Sequence, residues 1–308
     1  MSFAGKVKDE LLDQTGKAKH CQIAEIAALF SVCGQIKMEE NGKYIAEFAT
    51  ENLTVAKKCY ILIKKAFHII PDISVRGNHQ YALYLLSDQE VGNFMKEIMV
   101  MDGALLVSER LIQRKCCKRA FLRGLFLSSG SVANPNSGYH LELSAGSYNR
   151  AAKIQDMIGV FGLEAKIAER KKNHIVYMKE GAGIVDFLNI IGAHVALMEF
   201  ENVRIIREVR NSINRQVNCE AANIKKTVSA ASRQMEDIRY IYDTTGFGHL
   251  SEKLAEVARL RLENPEVSLK ELGEMLNPPV GKSGVNHRLR KLSEIADSLH
   301  EQNKDKDI

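Results

Sequence analysis

Two short apolar segments of this chain end on a glycine, at a place where a helix often presents a carboxylate to a metal ion. In "AEIAALFSVCGQI" (24–36) the residue before Gly34 is Cys33, and in "AFLRGLFLSSGSV" (120–132) the residue before Gly130 is Ser129. A carboxylate there would give a divalent cation a hard oxygen ligand. A pair of such sites could neutralise the charge that develops in phosphodiester hydrolysis. A thiol is soft and suits magnesium badly, and a serine hydroxyl is a weak neutral ligand. Both positions are expected to hold no catalytic metal.

The other groups with chemical potential do not assemble along the chain. Cys21, Cys33, Cys59, Cys116, Cys117 and Cys219 show no metal-ligand spacing. Adjacent Cys116–Cys117 is a poor disulfide framework, so reduced thiols are expected. The nine histidines form no H-x-x-H or H-E-x-x-H pattern, which argues against zinc, and His194 is read as a helix-end residue. Gly181 and Gly183 lack the Lys-Ser/Thr pair of a phosphate loop. No Ser-His-Asp or Cys-His arrangement stands out, so neither a metal, a cofactor nor an enzymatic activity is expected.

The chain has 308 residues, 45% hydrophobic and 26% charged, which suits two soluble domains of ordinary size. No apolar run reaches the roughly 18 residues of a membrane span, and the charged N-terminus lacks a signal-peptide core. A cytoplasmic protein without membrane contact is expected. The net charge of +5 names no partner, but its distribution is uneven. No acid occurs from Arg110 through Leu141 or from Met275 through Ser293, and both windows carry several basic residues. They are either polyanion contacts or solvated faces.

An internal repeat organises the first two thirds. At an offset of 96, Ala24, Leu29, Phe30 and Gly34 match Ala120, Leu125, Phe126 and Gly130. At an offset of 95, Tyr44 and Glu47 match Tyr139 and Glu142. Each unit continues as helix, two strands and a closing helix, so the order α-β-β-α-β-β-α occurs twice, over about 20–105 and 116–195. Ala28 is matched by Gly124, and small residues there would let the two opening helices pack closely about a pseudo-twofold axis.

This duplication resembles the LAGLIDADG homing-endonuclease fold, in which two such helices form the interface and four-stranded sheets saddle DNA. The resemblance implies that Cys33 and Ser129 stand where the nucleases carry metal-binding acids, so the saddle is degenerate. Its basic turns offer Arg76, His79, Arg170, Lys171 and Lys172 as secondary DNA contacts. The same turns would also serve solubility, and a protein partner could have replaced DNA on the saddle.

Beyond Ile191 the pattern is helical. Residues 196–216 and 222–242 read as two helices, followed by 250–265, 268–276 and 283–299. Ser268 and Glu271 have capping-box spacing. In the last segment Val285, Leu289, Leu292 and Ala296 should face a core, with Asn286, His287, Arg290 and Lys291 on the opposite side. That is the make-up of a recognition helix. Lys282, Ser283, Asn286, His287, Arg288, Arg290 and Lys291 are the candidate DNA-binding residues. Residues 215–308 carry 15 basic and 15 acidic side chains, so affinity must come from this local cluster or from the saddle.

The order of a degenerate LAGLIDADG duplication and a helix-turn-helix, together with "MSFAGKVKDELL", "NRQVNCEAANIKKTVSAA" (214–231) and "HRLRKLSEIA" (287–296), resembles the WhiA family from residue 1 to about 300. The resulting expectation is an α+β chain: a LAGLIDADG-like saddle at 1–214, then an all-α helix-turn-helix domain at 215–308. The resemblance implies a non-enzymatic regulator of transcription that binds double-stranded DNA at the nucleoid and acts in cell division, chromosome segregation or sporulation. A protein-interaction scaffold is the alternative, and an active homing endonuclease ranks below both.

Overall fold

Each repeat opens with a helix that runs straight into a strand at its terminal glycine. The computed structural model describes residues 2–40, 42–77, 80–98, 100–101, 106–171 and 173–304. In the first unit of the chain, Met1–Glu208, helix α1 (Phe3–Asp13) precedes the first repeat. That repeat comprises α2 (Lys19–Cys33), β1 (Gly34–Met38), β2 (Tyr44–Thr50), α3 (Leu53–Phe67), β3 (Asp72–Arg76), β4 (Gln80–Leu85) and α4 (Asp88–Ile98). A strand pair, β5 (Val100–Met101) and β6 (Leu106–Val107), and a 3-10 turn, Glu109–Ile112, lead to the second repeat. It comprises α5 (Lys115–Ser129), β7 (Gly130–Val132), β8 (Leu141–Ser144), α6 (Tyr148–Gly159), β9 (Lys166–Arg170), β10 (Asn173–Met178) and α7 (Gly181–Ile191).

The two sheets have the same antiparallel topology, β1-β2-β4-β3 and β7-β8-β10-β9. Alternation sorts each strand. Phe48, Leu83, Leu143 and Val176 are buried in the core against the helices, while Glu47, Tyr84, Glu142 and Tyr177 belong to the opposite face. In the first half Phe30, Phe48 and Phe94 pack edge-on, with ring centroids 5.0–5.6 Å apart. The α+β duplication is therefore as expected.

Helices α2 and α5 meet at Gly124. A Cβ there would lie 2.5 Å from the Glu25 carbonyl oxygen and 2.8 Å from the Ala28 Cβ, so glycine sets the distance between the two backbones. Gly124→Ala is expected to destabilise this unit by about 1–3 kcal/mol through overpacking. A denaturation midpoint equal to the parent's would remove the steric argument.

A buried ion network crosses the same interface. Glu25 and Lys58 have no solvent exposure, and Glu25 Oε1 lies 3.1 Å from Lys58 Nζ. Arg123 Nη2 donates to Glu25 Oε2 at 2.9 Å and Arg123 Nε to Oε1 at 3.0 Å. Lys58 Nζ also donates to the carbonyls of Leu11 (2.9 Å), Leu12 (3.2 Å) and Gln14 (2.7 Å), satisfying the C-terminal end of α1. Arg123 Nη1 reaches Ile191 O, at the end of α7, at 3.3 Å. Burial pushes the Lys58 amine below its ordinary range, and Glu25 opposes that shift.

Residues 196–216 and 222–242 are not two helices. They lie in one, α8 (His194–Thr245). The intervening "VNCEA" contains neither glycine nor proline to break the ladder, and Gln216 Nε2 donates along the helix to Glu220 Oε1 at 3.0 Å. The division between units falls inside this helix, and the second unit is Val209–Ile308.

In that second unit the end of α8 leads through a 3-10 turn, Phe247–His249, to α9 (Glu252–Glu263), α10 (Leu269–Glu274) and α11 (Lys282–Lys304). Its core comprises Ile238, Ile241, Val257, Ala258, Leu272, Leu276, Val285, Leu289, Leu292 and Ala296. The capping box is complete: Ser268 N donates to Glu271 Oε2 at 3.0 Å and Glu271 N to Ser268 Oγ at 3.3 Å. The long turn before α11 folds back onto Gly273, where Val280 N donates to Gly273 O at 2.9 Å. A Cβ at Gly273 would stand 2.0 Å from Val280 O, so only glycine admits that approach.

Candidate nucleic-acid interface

Helix α11 separates its residues by face. Val285, Leu289, Leu292 and Ala296 are fully buried, while Lys282, Ser283, Asn286, His287, Arg290 and Lys291 are exposed. Arg288 is half-buried. The polar side chains follow one another at helical spacing, so they form a single surface row. Arg290 Nε pairs with Glu294 Oε1 at 3.4 Å, an exposed contact that a stronger acceptor can replace.

Beside this row lies a groove of about 540 Å³ whose lining includes Lys226, Arg261, Lys270, Lys282 and Asn286. Arg261 is 3% exposed and donates through Nη1 to Val267 O at 2.7 Å, while its Nε has no partner. Burial pushes its guanidinium below the ordinary range. Lys226, Arg261 and Lys270 were not among the sequence candidates. They are far apart in sequence, and only the packing of α8, α9 and α10 gathers them.

The saddle turns carry their cations differently. Arg76 Nη2 donates to Tyr84 OH at 2.8 Å, and Tyr84 OH donates to Glu47 Oε1 at 3.0 Å. Glu47 also accepts from Lys37 and from Gln35 Nε2, and the Lys37 ammonium above all holds its carboxyl below the usual range. In the second sheet Arg170 Nη1 lies 3.6 Å from Glu142 Oε2, which also meets His140 Nε2 at 3.1 Å. Lys171 is exposed, and His79 and Lys172 lie outside the described residues. The outward sheet faces are thus of mixed sign, with neither a continuous basic stripe nor a broad apolar patch among the described residues.

At the C-terminal ends of α2 and α5, Cys33 Sγ donates to Leu29 O at 2.9 Å and Ser129 Oγ to Leu125 O at 3.1 Å. Both side chains are turned back onto their own helices. The nearby Cys33 thiol and burial push the Cys59 thiol well up. Nothing at these two positions supplies a hard anionic ligand.

The lack of metal-ligand spacing along the chain does not carry over to the fold. At the N-terminal ends of the same helices, the ligand atoms of His20, Cys21, Cys116 and Cys117 all lie within 4.8 Å of one another. The pairs stand 96 residues apart, so no linear motif displays them, although the repeat offset itself places His20 on Cys116 and Cys21 on Cys117. Burial pushes the Cys21 thiol up to about 12 and raises Cys117 too, which sets them apart from the low-pKa thiols used as nucleophiles.

Family comparisons cover most of the chain. Residues 19–82 match the WhiA N-terminal LAGLIDADG-like domain, 118–210 the WhiA LAGLIDADG-like domain and 213–296 the WhiA C-terminal HTH domain. "Probable cell division protein WhiA" of Lachnoclostridium phytofermentans is 49% identical over 98% of this chain and 100% of its own length. The protein of that name from Alkaliphilus oremlandii is 43% identical over 98% of each. Among solved structures, full-length DUF199/WhiA from Thermatoga maritima aligns with a TM-score of 0.59 at 26% identity, covering 97% of this chain and 99% of that one. With identity at this level along its whole length, and with both halves of its architecture matched, the chain belongs to the WhiA family.

Proposed function

We propose that the protein is a non-enzymatic, DNA-binding regulator of transcription that acts in cell division, as the names of its relatives suggest. Chromosome segregation or sporulation would be served by the same activity, exercised at the nucleoid in the cytoplasm. Among the described residues, no helix is long and apolar enough to cross a membrane. The carrying observation is the exposed row Lys282, Ser283, Asn286, His287, Arg290 and Lys291, backed by a buried face and free of acids until Glu294.

In this reading α11 lies in the major groove of double-stranded DNA. Asn286 and Arg290 have the donor geometry to read adenine and guanine edges. Lys282, Ser283, His287, Arg288 and Lys291 hold phosphates or neighbouring edges, with Lys226 and Lys270 extending the phosphate track. Arg76, Arg170 and Lys171 on the saddle are secondary contacts, and Glu47 and Glu142 reduce what the two arginines contribute. Hydrolysis is not part of the function, because the two helix-end positions offer a back-bonded thiol and a back-bonded hydroxyl in place of acids.

The test is capture of sheared genomic DNA by the full chain with magnesium present, followed by sequencing of the bound fragments. Enrichment of discrete sites with intact ends is the expected result. Discrete cleaved ends would restore the nuclease reading, and absence of any enrichment would favour a protein scaffold on the saddle.

A further inference from the structure

We infer that His20, Cys21, Cys116 and Cys117 form a structural zinc site that pins the two opening helices together at their N-terminal ends. The four ligands come as two adjacent pairs, one from the first turn of α2 and one from the first turn of α5. His20 Nδ1 lies 3.2 Å from Cys117 Sγ and 3.3 Å from Cys21 Sγ. Tetrahedral zinc, with Zn–S near 2.3 Å and Zn–N near 2.0–2.1 Å, spaces its ligand atoms about 3.5–3.8 Å apart. The two His20 distances need a few tenths of an ångström of expansion, and since no separation in the group exceeds 4.8 Å, the others close by at most about 1 Å to seat one ion. Three sulfurs and one imidazole nitrogen are a soft donor set that favours zinc over magnesium or calcium.

The surroundings suit the charge of such a centre. Three thiolates, a neutral imidazole and Zn²⁺ sum to −1, and binding releases the three thiol protons. Neither helix has a side-chain cap or an acid in its first turn, so both N-terminal ends direct unneutralised N–H groups toward this region. Arg114 Nη1 is 3.5 Å from His20 Nε2. Coordination through Nδ1 leaves the ring proton on Nε2, so that contact gives way when the metal enters. Ala24 and Ala120 pack directly against Cys21 and Cys117, and these small residues let the helix ends come close enough to share an ion.

The experiment is metal analysis of the full chain purified under reducing conditions, before and after zinc titration, with cobalt substitution as a spectroscopic check. One zinc per chain is expected, as are the intense visible and thiolate charge-transfer bands of tetrahedral cobalt. Cys116 is exposed, so Cys116→Ser should keep the fold, verified by circular dichroism, while weakening zinc binding by more than about 100-fold. Cys219→Ser, on the exposed face of α8, should bind like the parent. Failure of the parent to take up one equivalent of zinc would overturn the site. So would undiminished affinity in Cys116→Ser.

Discussion

Glu25→Ala is expected to lower the melting temperature of the LAGLIDADG-like unit by about 6–20 °C, which corresponds to roughly 3–5 kcal/mol for a domain of this size. Among the described residues, the substitution removes the only carboxylate paired with Lys58 and Arg123, and the Lys58 side chain has no solvent exposure. Lys58 keeps its three carbonyl acceptors at the end of α1, but carbonyl dipoles do not neutralise a buried ammonium. Calorimetry of the parent, Glu25→Ala and Glu25→Ala/Lys58→Met separates the terms. The double variant should recover part of the loss, because removing both charges spares the uncompensated one. A single variant that melts within roughly 2 °C of the parent would refute the argument.

The pH dependence has a definite sign. The folded state holds the Lys58 pKa below its unfolded value of 10.5, because burial outweighs the attraction of Glu25. A depressed pKa favours the neutral amine in the folded state, so stability rises as pH climbs from the folded value toward 10.5. Below the folded value the penalty is fully present. Without Glu25 the depression deepens, and Glu25→Ala should regain stability on the alkaline side over a wider range than the parent.

Asn286→Ala combined with Arg290→Ala should reduce affinity for a mapped DNA site by about 30-fold or more, taking about 1–3 kcal/mol for each base-reading side chain. The two lie one helical turn apart, so the sum need not be additive. Lys291→Ala should behave differently, weakening specific and non-specific DNA alike and reducing the salt slope by about one. Titration of a labelled site and a scrambled duplex at several salt concentrations distinguishes these outcomes. Equal loss on both duplexes in the double variant would move Asn286 and Arg290 from base edges to phosphates.

Much of this architecture was legible because it repeats. The matched pairs at offsets 95 and 96 set the order of elements, and Ala28 opposite Gly124 marks the helix contact in the sequence itself. The buried face of α11 followed from 3.6-residue periodicity alone. Buried polar groups were not legible. Lys57 and Lys58 are adjacent and chemically alike, yet one is exposed and the other fully buried, a difference set by which side of α3 meets α1 and α2. The continuity of α8 is not legible in the apolar pattern, although no helix breaker interrupts "VNCEA" between the two segments. The paired His-Cys and Cys-Cys steps were visible only if the repeat offset was applied to them.

Carrying both halves on one polypeptide has a consequence for how the molecule can change. In a homodimer built on the same axis, every altered residue appears twice and meets its own copy. Here a substitution is made once and faces a different neighbour. Glu25 therefore pairs with Arg123 without a reciprocal pair, and histidine in one half stands opposite cysteine in the other. Fusion has turned a symmetric interface into two independently mutable surfaces, so a lesion at one helix end leaves its counterpart untouched.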